Sequence, residues 1–465
     1  MAVMPEPGTT LDGFLLEDRI HSGGMAVLYR VARDEGDFPA LMKVPRLGFG
    51  EPASSVISFE VEQTVLSVLK GPHVPRFVAS GESEEHPYLV MEHVDGRPLS
   101  DWVERAPLEP DEVARLGAAL GTALHALHLQ EVIHLDVKPG NVIFRPSGEA
   151  VLIDFGLAHH AHYPDLLAEE WSRPIGSAPY IAPEQVLGVR CDPRSDIFAL
   201  GVVLYELATG RMPFGSPKNQ SGLRKRLWRD PLPPRSLVKH LPAWLQEVIF
   251  HCLEVNAAER YASAAQVALD LAHPDQVVVG ERGSRLRRDG PWKVFRRWFR
   301  AAGFEAAPCP QPSVYLSSAP IVLAAVATTH TNEAVFQAVR DTVKRLVGLD
   351  AQTRLTCVSV IPPAPEASVS SAEDTSTTLQ IRHRAMLRHW AEPLELPPEK
   401  LSFHVLESND PAQALLDYAR LNHVAHIVIG APPPRQAVRG RLAGLPGGGP
   451  AAGAPQRLPL LQLLN

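Results

Sequence analysis

The period of the hydrophobic pattern changes twice along the chain, and these changes constrain the fold more than any other feature. Residues from about Leu11 to His93 alternate in the manner of β-strands and carry one helical segment, whereas residues from about Leu108 to Ala272 are mostly helical in pattern. Beyond residue 313, apolar strands alternate with amphipathic helices, which is typical of a parallel sheet covered on both faces. At 465 residues the chain is long enough for two or three domains.

Composition excludes several classes of protein. Hydrophobic residues make up 45% and charged residues 21%, which argues against a disordered chain or a polytopic membrane protein. A net charge of -7 argues against a dedicated nucleic-acid binder, since neutralising phosphates requires a basic surface. The N-terminus lacks the features of a signal peptide. The cysteines lie far apart, so neither a disulfide framework nor a thiolate zinc site is expected, and we predict a cytoplasmic protein: Cys191, Cys252, Cys309 and Cys357.

Two features of the strand-rich region are suited to holding phosphate groups. The run His21-Ser22-Gly23-Gly24-Met25-Ala26 lies between two predicted strands, where a turn can present backbone N–H groups to phosphate oxygens. Lys43 has apolar neighbours on the next strand, where an unpaired ammonium would be costly, and Glu62 on the following helix supplies a partner. Each feature alone has a simpler explanation, a hairpin turn for the loop and a strand-edge position for the lysine.

The strongest signal is a pair of motifs in fixed order. The run Val132-Ile133-His134-Leu135-Asp136-Val137-Lys138-Pro139-Gly140-Asn141 is followed by Asp154-Phe155-Gly156. A hydroxyl that attacks a γ-phosphoryl group needs a carboxylate to orient it and accept its proton, and a metal ion to neutralise the developing charge. Asp136 suits the first role, and Asn141 and Asp154 suit the second. One loop aspartate alone would be read as a satisfied turn residue, but the ordered pair argues against that explanation.

With these motifs, residues 11–273 resemble the eukaryotic-type (Hanks-type) serine/threonine protein kinases of bacteria. Ala182-Pro183-Glu184, Asp196 and Arg260 follow in the order of that family. The resemblance implies a bilobal α+β fold, in which a strand-rich N-lobe lies over a helical C-lobe and ATP binds between them. It also implies that Glu184 pairs with Arg260, that Asp196 braces the catalytic loop, and that residues 176–180 face the substrate.

The same resemblance implies roles for individual residues. Asp136 would be the catalytic base, Lys138 would contact the γ-phosphate, and Lys43 with Glu62 would position phosphates. Asn141 and Asp154 would bind Mg²⁺ or, alternatively, Mn²⁺. The Asp-x-Lys-Pro-x-Asn form of the catalytic loop points to protein substrates with serine or threonine acceptors. The remaining expected nucleotide-binding positions are Ile20, His21, Ser22, Gly23, Gly24, Met25, Ala26, Leu28, Glu92 and His93.

The sequence departs from the family pattern in three places. His21 and Ala26 replace the first and third loop glycines, which makes positive φ less accessible and predicts slower turnover. Leu135 stands where many relatives have arginine, so the charge that would receive a phosphorylated activation loop is missing. These changes keep an alternative open, a pseudokinase scaffold that binds nucleotide or partners without efficient phosphotransfer. A third departure is a histidine group to which we assign no metal, because a solvated loop explains it: His159, His160 and His162.

Residues 313–431 resemble the universal stress protein family in their order of strands and helices. Asn409-Asp410-Pro411 leads into a helix, and residues 427–431 end a strand. Where nucleotide-binding members have an aspartate and spaced glycines, this chain has Ala327-Thr328-Thr329 and Pro432-Pro433-Pro434, whose prolines offer no N–H to a phosphate. We therefore expect a stress-sensing or regulatory α/β domain that does not bind ATP, and that pairs as a homodimer through a sheet edge.

Two further segments differ in composition from the domains. Residues 432–465 are rich in Pro, Gly and Ala, so we expect a disordered tail that lacks the family's final strand, and a shifted reading frame is one hypothesis for it. Residues 274–312 form a basic and aromatic linker, in which Trp292, Phe295 and Phe299 fall on one helical face. Segment 282–300 either contacts an anionic membrane or docks its aromatic residues on the C-lobe with solvated arginines, and we favour docking.

Overall fold

The computed structural model describes residues 4–23, 26–33, 38–46, 53–83, 86–163, 165–167, 174–301, 320–328, 333–348, 353–363, 369–430 and 460–462. The chain divides into two compact units, Met1–Ser317 and Ser318–Asn465. The expected organisation, a strand-rich part and a helical part followed by an α/β unit with a mostly parallel sheet, is confirmed.

The first part of unit one is an antiparallel sheet in the order β1-β2-β3-β4-β6-β5. Alternate side chains of its strands point to one face, where Leu16, Tyr29, Met42 and Val90 are fully buried. Helix α1 (Ala53–Val68) packs against this sheet. The strands are β1 (Thr10–Leu11), β2 (Phe14–Ser22), β3 (Ala26–Ala32), β4 (Ala40–Pro45), β5 (Phe77–Ser83) and β6 (His86–Glu92).

Helices dominate the rest of unit one. They are α2 (Ser100–Val103), α3 (Pro110–His128), α4 (Pro183–Val186), α5 (Arg194–Thr209), α6 (Gln220–Arg224), α7 (Pro234–Leu237), α8 (Ala243–Cys252), α9 (Ala264–Ala272), α10 (Glu281–Ser284) and α11 (Pro291–Ala301). Short strands that pair in an antiparallel manner lie in the segments between these helices. They are β7 (Arg97–Pro98), β8 (Val132–Ile133), β9 (Val142–Phe144), β10 (Ala150–Leu152) and β11 (His159–His160). Single 3-10 turns cover Pro139–Asn141, Lys225–Leu227, Ala257–Glu259 and Pro274–Gln276.

Helix α3 shows why these elements form where they do. Pro110 begins it, acidic residues occupy its first turn and histidines its last, which suits the helix dipole. Its apolar residues recur three and four positions apart and are buried against α5 and α9. Gly117 lies at this contact, where a Cβ atom would come within 2.4 Å of the Leu204 side chain. Helix α5 is buried along its whole length and forms the centre of the lobe.

The structure of the linker contradicts the favoured prediction that its aromatic residues dock on the C-lobe. Helix α11 presents Trp292 and Phe299 outward, with 74% and 71% of their surfaces exposed. Arg297, rather than an aromatic residue, holds the helix to the C-lobe through Asp230 and Asp289. The favoured docking is therefore wrong, because acidic side chains of the C-lobe and of the preceding loop select the basic face of the helix.

Unit two is a sheet in the order β14-β13-β12-β15-β16, in which all pairs are parallel except β15 with β16. Helices cover the sheet, so its central strands read as continuous apolar runs. The elements are β12 (Ile321–Ala325), α12 (Glu333–Gly348), β13 (Arg354–Ile361), α13 (Val369–Ala391), β14 (Leu401–Glu407), α14 (Pro411–Leu421), β15 (Val424–Ile429) and β16 (Leu460–Gln462), with 3-10 turns at Glu392–Leu394 and Pro398–Lys400.

Two expectations about the chain as a whole are corrected. Strand β16 pairs with β15, so the expected lack of a final strand is wrong for these residues; residues 432–459 lie outside the described part. Cys191 is disulfide-bonded, contrary to the expectation from cysteine spacing, while Cys252 and Cys357 are free and buried. Within the described residues, no helix is both long and apolar enough to cross a bilayer.

Candidate active site

A cavity of about 930 Å³ opens between the strand-rich and helical lobes of unit one. Ile20 and Ser22 do not line it: Ile20 is 42% exposed on β2, and the Ser22 hydroxyl accepts a hydrogen bond from Arg46 at 2.7 Å. Gly24 and Met25 lie outside the described residues. The other expected site residues meet at this cavity: His21, Gly23, Ala26, Leu28, Lys43, Glu62, Glu92, His93, Asp136, Lys138, Asn141 and Asp154.

Lys43 is held at the cavity by two carboxylates. Its Nζ lies 2.5 Å from Glu62 Oε2 and 3.3 Å from Asp154 Oδ1. Burial alone would lower the pKa of Lys43, but the charges of Glu62 and Asp154 outweigh it and hold that pKa above its ordinary value. The Lys43 ammonium in turn holds the pKa of Asp154 below its ordinary value, against the effect of burial. The lysine is therefore a fixed positive charge in the cavity.

Asp136 lies at the centre of a second network. Its Oδ2 accepts hydrogen bonds from Lys138 Nζ at 2.6 Å and Asn141 Nδ2 at 3.1 Å, and its Oδ1 accepts one from the Ser177 N–H at 2.8 Å. Lys138 also donates to the Ser177 hydroxyl at 3.0 Å. A carboxylate can accept about four hydrogen bonds, so this one keeps capacity for an incoming hydroxyl.

Asp196 positions the loop that carries Asp136, as the resemblance implied. Asp196 is fully buried and accepts hydrogen bonds from the backbone N–H groups of His134 and Leu135, both at 2.8 Å. His128 Nε2 lies 2.9 Å from the same carboxylate. These bonds hold Leu135 at a φ of 61°, a left-handed conformation that costs a non-glycine residue about 1–2 kcal/mol. The bracing by Asp196 is confirmed.

Asn141 and Asp154 offer oxygen atoms to the same space. The Asn141 amide nitrogen is used on Asp136, donating to its backbone oxygen at 3.0 Å, which leaves the amide oxygen available. The Asp154 side chain is 46% exposed, at a residue whose φ is 66°, and only its Oδ1 is shared with Lys43. An amide oxygen beside a carboxylate is the hard oxygen donor set that Mg²⁺ prefers. These residues therefore fit a magnesium ion.

The glycine loop closes as a hairpin between β2 and β3. Gly23 N–H donates to the Ala26 carbonyl at 3.0 Å, and Arg46 donates to the Gly23 carbonyl at 3.0 Å. His21 and Ala26, which replace expected glycines, lie within the strands and have no positive φ. The substitutions are thus accommodated by strand pairing, and His21, Gly23 and Ala26 all line the cavity.

The segment that joins the lobes lines one side of the cavity. The Glu92 carboxylate is already engaged, by Arg145 at 2.8 Å and by the Arg76 N–H at 3.1 Å. Burial alone would raise the pKa of Glu92, but these hydrogen bonds lower it. The His93 N–H is bonded to the Pro39 carbonyl at 2.8 Å. The Glu92 carboxylate is therefore engaged within the protein and is not free to bind a ligand.

Sequence reasoning missed several cavity residues. The apolar ones among them could be recognised only as buried positions, from the alternation of side chains along the strands. That alternation does not indicate which face of a strand lines the cavity. The missed apolar residues are Leu41, Val94, Ile143 and Ile153.

Two arginines organise the side of the site where residues 174–186 lie. Arg260 pairs with Glu184 through two bonds of 2.7 Å, which confirms the implied pair. Arg226 is 1% exposed and donates to the carbonyls of Ala178, at 2.7 Å, and Ile181. Burial lowers the pKa of Arg226 to about 10. No sequence pattern indicates Arg226, because its partners are main-chain atoms some 45 residues away.

An ion pair secures the described part of residues 154–184, called here the activation segment. Arg190 donates to Asp165 at 2.8 and 3.2 Å and to the Leu157 carbonyl at 2.9 Å. His159 lies 3.7 Å from Asp165, and burial lowers its pKa. The Leu135 side chain is buried, so the missing arginine charge is replaced by an apolar contact.

Comparison with known proteins gives two family matches. The model of the protein kinase domain matches residues 14–271, and that of the universal stress protein family matches residues 320–447.

Three bacterial kinases illustrate the similarity. Serine/threonine-protein kinase PknB of Mycobacterium tuberculosis is 32% identical over 278 residues, covering 58% of this chain and 44% of the relative. Pkn1 of Myxococcus xanthus is 32% identical over 289 residues, covering 60% and 41%. The probable kinase CPE1738 of Clostridium perfringens is 30% identical over 253 residues, covering 54% and 37%. The chain spans less than half the length of these relatives.

Among solved structures, the PknI kinase domain of Mycobacterium tuberculosis aligns with a TM-score of 0.46 and 23% identity, covering 58% of this chain and 99% of that chain.

Proposed function

Because the chain belongs to the protein kinase family, we propose that it is a serine/threonine protein kinase that transfers the γ-phosphoryl group of ATP to hydroxyls of protein substrates. The observation that supports this most is the convergence of Lys43, Asp136, Asn141 and Asp154 on one cavity. These residues come from three separate segments of the chain, and their side chains would supply a cation, a base and metal ligands at one cavity. We propose the cytoplasm as its location, where ATP is available.

ATP binding is assigned to both lobes. The adenine ring would lie among Leu28, Leu41 and Ile143, with the backbone near Val94 reading its edge. The glycine loop would cover the phosphates with backbone N–H groups. Lys43, kept charged by Glu62 and Asp154, would neutralise phosphate oxygens without having to reorganise.

Transfer of the phosphoryl group requires a positioned acceptor. The substrate hydroxyl would donate to the Asp136 carboxylate, whose rotation is prevented by Lys138, Asn141 and Ser177. A bond then forms between the hydroxyl oxygen and the γ-phosphorus, the bond to the β–γ bridging oxygen breaks, and the hydroxyl proton passes to Asp136 while ADP leaves. Lys138 would stabilise the negative charge on the transferred group. Asn141 and Asp154 would hold Mg²⁺, which supplies charge neutralisation between the phosphates when bound.

The scaffold alternative has less support. It rests on the altered glycine loop and on Leu135, yet the loop closes as a hairpin and Leu135 is held by Asp196. We assign the α/β domain, residues 313–431, a regulatory or stress-sensing role, with homodimerisation through its sheet edge.

Replacing Asp136 by asparagine tests the assignment, because the change removes the base while keeping the shape. We expect phosphotransfer from labelled ATP to a generic basic acceptor to fall by at least about 10²-fold, with nucleotide affinity nearly unchanged. Asp417→Asn, an exposed change on α14, is the matched control and should leave the rate unaltered. Near-normal turnover in Asp136→Asn would refute the role of Asp136 as the base. Loss of nucleotide binding in the same variant would refute the view that Asp136 acts on the acceptor and not on ATP binding.

A further inference from the structure

The aromatic side chains of helix α11 form an uncovered surface on unit one. They make a row of neighbouring rings, with centroids 5.9 Å apart between Trp292 and Phe295 and 6.0 Å apart between Phe295 and Trp298. Phe299 lies one helical turn after Phe295, on the same side of the helix. We call these four residues the aromatic ridge, and their exposed fractions are 74, 54, 48 and 71% in chain order. A soluble protein rarely leaves a contiguous apolar patch of this kind in water without a partner.

The ridge has a fixed orientation. Arg297, on the opposite side of the helix, lies 2.7 Å from Asp230 and 3.1 Å from Asp289. Arg285 lies 2.8 Å from Asp230 as well. The preceding helix α10 is anchored to α8, since the Gly283 N–H donates to Glu247 at 2.6 Å. The aromatic residues are therefore directed outward by a packed segment of unit one.

Exposed basic residues lie beside the helix that carries the ridge. A cavity of about 250 Å³ shares Asp230 with the Arg297 ion pair, and the 3-10 turn Lys225–Leu227 contacts α11, so the basic residues of this cavity lie next to the helix. The acidic side chains at this place, Asp230 and Asp289, are already paired with arginines. The exposed cations of this surface, here called the cationic rim, are Arg211, Lys225, Arg229, Arg287, Arg288 and Arg296.

We propose that the aromatic ridge and the cationic rim dock unit one on the surface of an anionic phospholipid bilayer. Aromatic rings favour the interfacial layer, and basic side chains beside them attract acidic headgroups. Helix α11 has 11 residues, about 16 Å of helix, and is too short to cross a hydrocarbon core of about 30 Å. It therefore lies along the surface.

Charge favours a membrane over a second copy of the chain. A twofold interface through the ridge would place the same patch opposite itself, so the two cationic rims would repel each other. An anionic bilayer instead complements the rim. The chain as a whole carries a net charge of -7, so the attraction must come from this local surface and will weaken as salt is added.

The test is sedimentation of the full-length chain with vesicles of phosphatidylcholine alone or with phosphatidylglycerol added. We expect binding to the anionic vesicles only, weakened at high salt. Trp292→Ser combined with Phe299→Ser should weaken it by at least about tenfold, and so should Arg288→Glu combined with Arg296→Glu, since one basic residue near headgroups changes affinity about fivefold.

Matched controls separate the patch from general changes in the surface. Leu421→Ser removes an apolar side chain that is 76% exposed on α14, and Arg115→Glu reverses an exposed charge on α3. Both should bind vesicles like the unmodified chain, and all variants should keep the basal phosphotransfer rate. Absence of binding by the unmodified chain, or equal loss in the controls, would overturn the proposal. So would light scattering that shows a dimer abolished by the ridge variant while vesicle binding persists.

Discussion

Replacing Asp196 by alanine should destabilise unit one and disable the catalytic loop together. The substitution would leave the buried N–H groups of His134 and Leu135 without acceptors and His128 without its ring partner. Each orphaned buried donor costs about 1–3 kcal/mol, so the loss in the free energy of unfolding should reach about 4 kcal/mol. That is a large share of the roughly 5–15 kcal/mol that stabilises a typical domain.

Asp196→Asn provides a graded comparison. The amide keeps the shape of the carboxylate and one oxygen, so a single N–H donor faces an NH₂ group instead of an acceptor. The free energy of unfolding should therefore fall by about 1–3 kcal/mol. Without Asp196 the left-handed conformation of Leu135 loses its support, and Asp136 moves from its position. The turnover of the molecules that remain folded should therefore fall, while nucleotide affinity is retained because Lys43 and Glu62 are untouched.

Urea unfolding followed by tryptophan fluorescence would measure these losses. All but Trp390 of the seven tryptophans belong to unit one, so the signal reports mainly on that unit. Activity measured on the same samples, below the unfolding transition, gives the change in turnover. The reasoning is refuted if the free energies of unfolding of the alanine and asparagine variants both lie within about 1 kcal/mol of that of the unmodified chain, because buried donors without acceptors should cost more than this.

Three further changes test other parts of the unit. Asp165→Asn should loosen the activation segment by weakening its pair with Arg190, and limited proteolysis should cut that segment faster; unchanged cleavage would contradict the role of the pair. Arg226→Lys cannot reproduce the bonds to two carbonyls, so the KM for a protein acceptor should rise several-fold while the KM for ATP stays constant, and equal changes in both would argue against a local effect. A chain ending at residue 273 should melt at a lower temperature than one ending at residue 301, because the longer one keeps the contacts of α10 with α8; equal melting temperatures would show that those contacts contribute nothing.

The sequence predicts those parts of the site in which a physical cost restricts the choice of partner. A lysine among apolar strand residues needs a carboxylate, and Glu62 on the following helix supplies one for Lys43. The parallel sheet of unit two is predicted in the same way, since strands buried on both faces must read as apolar runs. In both cases burial leaves few alternatives.

Contacts made through main-chain atoms produce no recognisable pattern in the sequence. Arg226 donates to carbonyl groups of residues 178 and 181, and any residue type would offer the same acceptors there. The pair of Asp165 with Arg190 joins two polar residues in loops, where many other pairings have a similar cost. Sequence patterns therefore miss them, although both hold the acceptor side of the site.

Helix α11 shows how the same limit applies to a whole element. Its amphipathic pattern separates an aromatic face from a basic one, but the pattern does not state which face packs inward. Burying the aromatic residues is the ordinary expectation, and it would have left the arginines in water. Instead Asp230, distant in the sequence, and Asp289, in the loop just before the helix, pair with Arg297 and reverse the orientation. The aromatic ridge is exposed because local charge pairing outweighs the hydrophobic pattern, which is why this surface needs an apolar and anionic partner.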